Sequence, residues 1–282
     1  MSGKTKIEWT EATWNCITGC SKVSQGCRFC YAEREWPRLA APREKPNIYT
    51  GRDFTDVRCH PEKLNIPLRW TKPRRIFVNS MSDLFHEAVP DEFIHRVFGV
   101  MASAEQHIFQ VLTKRPERML AFVKSSNRPV ETRFGWYFGG PFPLRNVWLG
   151  VSVEDQATAD ERIPVLLQTP AAVRWISAEP LLGPVNLANL DAGDGTFYSA
   201  RTGEHWDVDR SYRGNVGKLN WVVAGGESGP KARPSHSDWF RGLRDQCQVA
   251  GVPFFMKQIT DKGRKVPFEQ WPDDLRVREY PS

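Results

Sequence analysis

Long apolar runs are missing from this chain of 282 residues. None reaches the roughly 18 residues that a helix needs to span a bilayer. The polar start Met1-Ser-Gly-Lys-Thr-Lys also lacks the apolar segment of a secretory signal. These two absences predict a cytoplasmic protein with no membrane partner.

Cysteine is also scarce, with only six residues in the chain. Half of them lie within eleven residues, at Cys20, Cys27 and Cys30, and Cys16 stands just upstream. In a long chain without an export signal, such clustering favours metal or redox chemistry over a disulfide framework. The two remaining cysteines, Cys59 and Cys247, are predicted to be buried and without a role in that chemistry.

The excess of positive charge is small, because 39 Lys and Arg face 33 Asp and Glu, for a net charge of +6. This balance permits binding to a polyanion without requiring it. The eleven tryptophans are more informative. Most should lie in the core, whereas any exposed indole would offer a stacking surface for a nucleic-acid base.

Short apolar runs alternate with helical segments along most of the chain, a pattern that indicates β–α–β crossovers and a parallel sheet. An open doubly wound sheet and a barrel both fit this alternation. Seven strands are predicted, at residues 12–18, 75–79, 108–112, 146–151, 173–176, 220–224 and 252–256. Helices are predicted at residues 32–39, 90–104, 116–123 and 238–250, and a further one follows Asp155 and runs to about Leu167.

Two aromatic segments interrupt the alternation, near residues 125–145 and 186–217. Loops of this length usually have a function or are disordered, and their aromatic content argues against disorder. We expect them to be insertions in a single domain over residues 1–282. Either they pack as lids or they contact the substrate.

The cysteine loop, residues 20–30, allows two metal sites. Three thiolates cannot complete a four-ligand shell, so an iron–sulfur cluster held by Cys20, Cys27 and Cys30 would keep one iron open. Cys16 would complete a structural zinc site, although only Cys27 and Cys30 form the short knuckle typical of such sites. The alternative function is therefore a zinc-stabilised nucleic-acid-binding module without catalysis.

The string Cys27-Arg-Phe-Cys-Tyr31 resembles the cluster loop of the radical S-adenosylmethionine superfamily. The wider string from Trp14 to Cys27 is similar to a phage and bacterial three-cysteine-motif family within or beside that superfamily, and more distantly to spore photoproduct lyase. The resemblance implies a [4Fe–4S] cluster on Cys20, Cys27 and Cys30, with S-adenosylmethionine on the open iron. It also implies that Phe29 lies near the adenine.

The resemblance further implies the fold, a complete or partial (β/α) barrel of six to seven parallel strands with helices outside. In such a barrel the functional side chains follow the carboxyl ends of the strands. This position implies contacts to the methionyl amine, the carboxylate, the ribose hydroxyls and, last, either the cofactor or the substrate. The candidates are, in that order, Ser80, Ser82 and Asp83; Lys114 and Arg115; Ser152 and Glu154; and Glu179 and Glu227. A lone histidine, His86, is predicted to be a satisfied polar group rather than a catalyst.

The predicted activity is that of a radical enzyme, which makes a 5′-deoxyadenosyl radical and abstracts hydrogen from its substrate. An electron donor such as flavodoxin or ferredoxin is implied. The basic balance and the aromatic insertions favour DNA, RNA or a free nucleotide as substrate, modified or repaired at a base. A small metabolite or a peptide is the other substrate class.

Overall fold

The computed structural model describes residues 5–126 and 142–281. The chain divides into two compact units, Met1–Trp148 and Leu149–Ser282. That residues 1–282 form one domain stays a prediction.

The described part of the first unit contains short strands and three α-helices. In chain order these are β1 (Ala12–Trp14), β2 (Ile17–Thr18), α1 (Tyr31–Ala40), β3 (Arg58–Cys59), β4 (Arg75–Val78), α2 (Asp91–Ser103), β5 (Ile108–Thr113) and α3 (Pro116–Ser125). Single 3₁₀ turns lie at Gln25–Cys27, Pro61–Lys63 and Pro67–Arg69.

Strand β6 (Val147–Val153) runs across the division and leads into the second unit. Then follow α4 (Gln156–Gln168), β7 (Val173–Ala178), β8 (Leu190–Asp191), β9 (Thr196–Tyr198), β10 (Glu204–Asp207), β11 (Tyr212–Asn215), β12 (Trp221–Gly225), α5 (Ser237–Ala250), β13 (Phe254–Gln258), β14 (Thr260–Asp261) and β15 (Arg264–Lys265). Two 3₁₀ turns, Phe268–Gln270 and Asp273–Leu275, follow.

Seven of these strands form one sheet in the hydrogen-bonded order β1-β4-β5-β6-β7-β12-β13. The pairs β1–β4, β4–β5, β7–β12 and β12–β13 are parallel. Strands buried on both faces read as continuous apolar runs, which is why the sequence reveals them. The predicted α/β class is confirmed, and so are the seven predicted strands, except that the first, residues 12–18, is divided into β1 and β2. The radical-enzyme type of barrel stays a prediction.

Local sequence explains where several helices begin and end. Pro116 occupies the first turn of α3, where its missing N–H removes no helical hydrogen bond. Asp155 and Thr158 form a reciprocal capping box at the start of α4. Gly251 ends α5 in a left-handed conformation, with φ of 61°. All five predicted helices are present, with ends shifted by a few residues at most.

The predicted insertion at 186–217 contains a separate four-stranded antiparallel sheet in the order β11-β10-β9-β8. The Arg210 guanidinium lies over the rings of Phe197 and Trp206, at 5.4 and 5.7 Å from their centroids. This segment is therefore an ordered subdomain with an aromatic surface. Most of the other predicted insertion, residues 127–141, lies outside the described residues.

Within residues 5–126 and 142–281, no helix combines the length and apolar character that crossing a membrane requires.

Candidate metal centre and its polar surroundings

The cysteine loop is separated from the end of β2 by one residue, Gly19. Gly19 has φ of +91°, and a Cβ there would overlap the carbonyl group of Asp56, so the position requires glycine. The backbone N–H groups of Gly19 and Cys20 donate to the carbonyl oxygens of Met81, at 3.2 Å, and Phe54, at 2.9 Å. The first cysteine is therefore held to two other segments through its own backbone and that of its neighbour.

The second and third cysteines are joined by a single turn of chain. Cys27 ends the 3₁₀ turn Gln25–Cys27, and Cys30 is the N-cap residue of α1. The Cys30 backbone N–H donates to the Cys27 carbonyl oxygen at 3.3 Å. Tyr31, at the start of α1, donates its hydroxyl to the carbonyl oxygen of Ser80 and so ties this end of the loop to the residues that follow β4.

The three loop thiols influence one another. The pKa of Cys20 is raised to about 12, chiefly by burial and also by negative charge on Asp83 and Cys27, against the lowering effect of Arg115. Burial also raises the pKa of Cys30, and charge on Cys27 adds to this rise. Ionising all three thiols together is therefore unfavourable unless positive charge is bound between them.

Among the described residues, no three His, Cys, Asp or Glu side chains converge as a ready-made site for a metal ion. A single zinc ion requires such convergence, because its sulfur ligands lie at about 2.3 Å from the metal. An iron–sulfur cluster is larger, and each of its cysteines binds a different iron. Three thiols on one loop, with the charge of Cys27 acting on Cys20 and Cys30, fit a cluster by the chemistry of the donor set.

Cys16, the fourth cysteine of the zinc alternative, has partners outside the loop. Its thiol is fully buried and donates to the Asn79 side-chain oxygen at 3.5 Å. Burial raises its pKa, and its charge interacts with that of Cys59. Asn79 also accepts the Ile17 backbone N–H at 3.2 Å and adopts φ of 60°. These contacts tie Cys16 to the strand-end residue Asn79.

The residues that follow β4 lie against the start of the cysteine loop. The hydroxyl of Ser80 donates to the Asn15 side-chain oxygen at 3.2 Å, and that of Ser82 donates to the Ile17 carbonyl oxygen at 2.9 Å. Ser82 also forms an isolated parallel bridge with Gly19. The structure thus brings these two predicted residues next to the loop.

Asp83, the third predicted residue after β4, is buried and already satisfied. One carboxylate oxygen accepts from the Phe85 backbone N–H at 2.9 Å and the Thr113 hydroxyl at 2.7 Å. The other accepts from the Lys114 backbone N–H and from Arg115 Nη1, both at 3.1 Å. Asp83 therefore joins the end of β4 to the end of β5.

Arg115 connects this carboxylate to the cysteine loop. Its Nε donates to Glu87 Oε1 at 2.8 Å, and its Nη2 donates to Ser21 Oγ at 2.9 Å. His86 Nε2 contacts the same hydroxyl at 2.8 Å. Burial lowers the pKa of His86, and the charge of Arg115 lowers it further. His86 is a satisfied polar group, as predicted, whereas the roles of Ser21 and Glu87 have no signal in the sequence.

In the second unit, Glu154 is fully buried against an arginine of α4. Both of its carboxylate oxygens lie 3.3 Å from Arg162 Nη1, which also donates to the Ser152 carbonyl oxygen at 2.8 Å. Ser152 itself is buried. A contact from Glu154 to ribose hydroxyls would require the carboxylate to leave this pair.

The two other predicted glutamates of this unit also form ion pairs at strand ends. Glu179, after β7, pairs with Lys257 of β13. Glu227, after β12, accepts from Arg233 Nε at 2.9 Å and Nη2 at 2.5 Å. Gly226, directly before Glu227, is closely packed, because a Cβ there would lie 2.7 Å from Thr260 Oγ1. Packing thus favours glycine at position 226 of the Gly-Gly-Glu string.

Phe29, the aromatic residue next to Cys30, is half-buried, and the Arg28 guanidinium lies 5.3 Å from its ring centroid. The cation–π contact turns an arginine and an aromatic ring toward each other beside the third cysteine. Together they form a basic and aromatic edge on the cysteine loop.

One family model, described as "Protein of unknown function (DUF5131)", matches residues 4–271. The chain belongs to this family. Because the match spans the cysteine loop and both units, the family is defined by more than the loop alone. No curated protein and no solved structure matches the chain.

Proposed function

We propose that this protein is a radical S-adenosylmethionine enzyme in which Cys20, Cys27 and Cys30 hold a [4Fe–4S] cluster. The observation that carries the proposal is the set of three cysteines on one loop, in which burial raises the pKa of Cys20 and of Cys30 and the charge of Cys27 acts on both. Three thiolates leave one iron of such a cluster without a protein ligand. The separate hydrogen bond of Cys16 to Asn79 agrees with a three-cysteine ligand set.

When bound, the reduced cluster and S-adenosylmethionine would supply one-electron cleavage of the cofactor's C5′–S bond, giving methionine and a 5′-deoxyadenosyl radical that takes a hydrogen atom from the substrate. The electron would come from a protein donor such as flavodoxin or ferredoxin. The protein's own residues bind, orient and shield these groups.

Ser80 and Ser82 are suited to the methionyl ammonium group. Each hydroxyl already donates a hydrogen bond, to Asn15 or to Ile17, and its oxygen retains lone pairs that can accept from an ammonium. Phe29 would flank the adenine, in keeping with its place beside Cys30. Lys114 remains the candidate for the methionyl carboxylate. Cofactor or substrate contacts of Ser152, Glu154, Glu179 and Glu227 are proposed within the second unit.

The proposed substrate is a base in DNA, RNA or a nucleotide. Residues 1–148, which include the cysteine loop, carry 23 Lys and Arg against 15 Asp and Glu, a net charge of +8. This excess supports attraction of phosphate groups. A base in a duplex would have to be flipped out to react, so single strands or nucleotides should react more readily than duplex.

The test is production of 5′-deoxyadenosine by reconstituted protein under anaerobic conditions, with dithionite and S-adenosylmethionine, measured by chromatography and mass spectrometry. Wild type should produce it, Cys27→Ala should not, and Cys16→Ala should retain it. Absence of the product from cluster-loaded wild type would overturn the proposal. Equal loss in Cys16→Ala and Cys27→Ala would overturn the ligand assignment.

A further inference from the structure

We propose that Arg115 is a positioning residue that holds the Cys20 end of the cysteine loop through Ser21, and that it does not bind the methionyl carboxylate. The link between this support and cluster binding rests on the proposed function. The hydrogen bonds that carry it belong to the protein alone and can be tested without a cluster.

Four of the five N–H donors of Arg115 have hydrogen-bond partners within the described residues. Nε donates to Glu87 and Nη1 to Asp83, while Nη2 donates to Ser21 Oγ at 2.9 Å and to the Ser21 carbonyl oxygen at 3.5 Å. Its positive charge also acts on the Cys20 thiol. A guanidinium has five N–H donors in a fixed fork, and four of them are engaged here, so a ligand carboxylate that accepts from two N–H groups would have to displace one of these partners.

The Arg115 side chain is also shielded from solvent, with 7% of its surface exposed, and Asp83 beside it is 8% exposed. A buried arginine with a buried carboxylate partner is held in one orientation, because moving either charge away would leave the other unpaired. The pair is thus a rigid support for a neighbouring segment. That segment is the cysteine loop.

Ser21 receives a second hydrogen bond, from His86. The Ala88 backbone N–H donates to His86 Nδ1 at 3.1 Å, so in the neutral ring the proton is on Nε2, which donates to Ser21 Oγ at 2.8 Å. The Ser21 hydroxyl oxygen therefore accepts from two fixed donors. The residue next to Cys20 is held by side chains that follow two different strands, β4 and β5.

Fixing this residue has a physical consequence for metal binding. Ordering a backbone residue costs conformational entropy, and a loop that is already ordered does not incur this cost when its thiols bind iron. Partners outside the ligand set commonly orient metal ligands in this way. Arg115 acts on Cys20 through Ser21 and also places a positive charge beside the thiol.

Arg118 offers a matched control. It donates to the Phe85 and His86 carbonyl oxygens of the same segment and to Asp91, and its described contacts do not include the cysteine loop. Substituting Arg118 disturbs the segment that carries His86 while leaving the contacts of Ser21 with Arg115 and His86 in place.

The first experiment is hydrogen–deuterium exchange, read by mass spectrometry on the metal-free protein. Amides of residues 19–23 should exchange at least tenfold faster in Arg115→Met than in wild type, and Arg118→Met should stay within twofold of wild type. Ser21→Ala keeps the Arg115–Asp83 pair and should also loosen the loop. This second variant decides the question even if Arg115→Met does not fold.

The second readout is the midpoint potential of the reconstituted cluster. Loss of the positive charge in Arg115→Met should shift the potential to more negative values. Arg115→Lys should restore the potential but not the slow exchange, because lysine keeps the charge and loses the fork. Unchanged exchange at residues 19–23 in both Arg115→Met and Ser21→Ala would overturn the inference. Wild type that binds no cluster would instead overturn the proposed function, and the exchange result would still stand.

Discussion

Two buried arginines pair with strand-end carboxylates in the part of the chain that the structure describes, and they serve different purposes. Arg162 and Glu154 are 2% and 0% exposed, and the arginine's Nη1 atom contacts the carboxylate and the Ser152 carbonyl oxygen of the strand that carries it. Arg115 and Asp83 are nearly as buried, yet Arg115 also reaches Ser21 in the cysteine loop. One pair joins a strand to the helix that follows it, whereas the other supports the cysteine loop.

The comparison teaches that burial of an ion pair does not reveal its role. What distinguishes the pairs is the third partner of each arginine. Glu154 follows strand β6, a position that predicts a functional side chain, yet its carboxylate pairs with Arg162 inside the second unit. Asp83, which follows β4 in the first unit, pairs with Arg115. Arg115 in turn donates to Ser21, the residue next to the proposed ligand Cys20.

Charge separates the two units as well. Residues 149–282 carry 16 Lys and Arg against 18 Asp and Glu, a net charge of −2, so the chain's whole positive excess lies in residues 1–148. The unit with the three-thiol loop is therefore the one expected to attract a polyanion.

The largest expected effect on stability is that of Arg162→Met. It should lower the free energy of unfolding by about 3–5 kcal/mol, because it leaves the buried Glu154 carboxylate without its cation. Urea denaturation followed by circular dichroism measures this loss. The double variant Glu154→Gln/Arg162→Met should recover most of it, since neither charge then remains.

Arg115→Met should cost less, about 1–3 kcal/mol, because Asp83 keeps donors from Phe85, Thr113 and Lys114. Its main effect should fall on the cysteine loop. If Arg115→Met destabilised the protein as much as Arg162→Met does, the distinction between the two pairs would be wrong.

The smallest expected effect concerns polyanion binding. Neutralising Arg34 and Lys45, both exposed and in the first unit, to glutamine should weaken binding of single-stranded DNA or RNA. The salt slope should fall by about 0.7 for each phosphate group that the variant no longer neutralises. Filter binding across a salt series measures both quantities.

The control is the same substitution at Lys262 and Arg264, both exposed and in the second unit, which should change binding less. Equal weakening by both pairs of substitutions would mean that the charge difference between the units does not direct the polyanion. Undetectable binding by wild type at low salt would leave free nucleotides or small metabolites as substrates.

Much of the fold can be read from the sequence because buried parallel strands are continuous apolar runs. The exception is the predicted first strand, residues 12–18, which the structure divides into β1 and β2 at Asn15 and Cys16. The division coincides with Asn79, whose side chain bonds Cys16 and Ile17 from more than 60 residues away. Local sequence does not encode such a contact in any pattern that can be read.

The site is predictable in outline for the same reason. Their positions at strand ends predict that Asp83, Arg115 and Glu154 are functional, but do not predict which side chains pair with them. For Glu154 the sequence does contain a signal, because Arg162 lies between Ala159, Ile163 and Leu166 on the buried face of α4. A charged residue on an apolar helical face requires a buried partner, and the nearest carboxylates upstream include Glu154.

The most direct test of the central claim is metal analysis and electron paramagnetic resonance on protein purified and reconstituted without oxygen. The account predicts a brown protein with about four iron and four sulfide per chain. After reduction, its signal should change when S-adenosylmethionine is added, because the cofactor binds the iron that the three cysteines leave open. A colourless protein with one zinc per chain, or a cluster whose signal ignores S-adenosylmethionine, would contradict it.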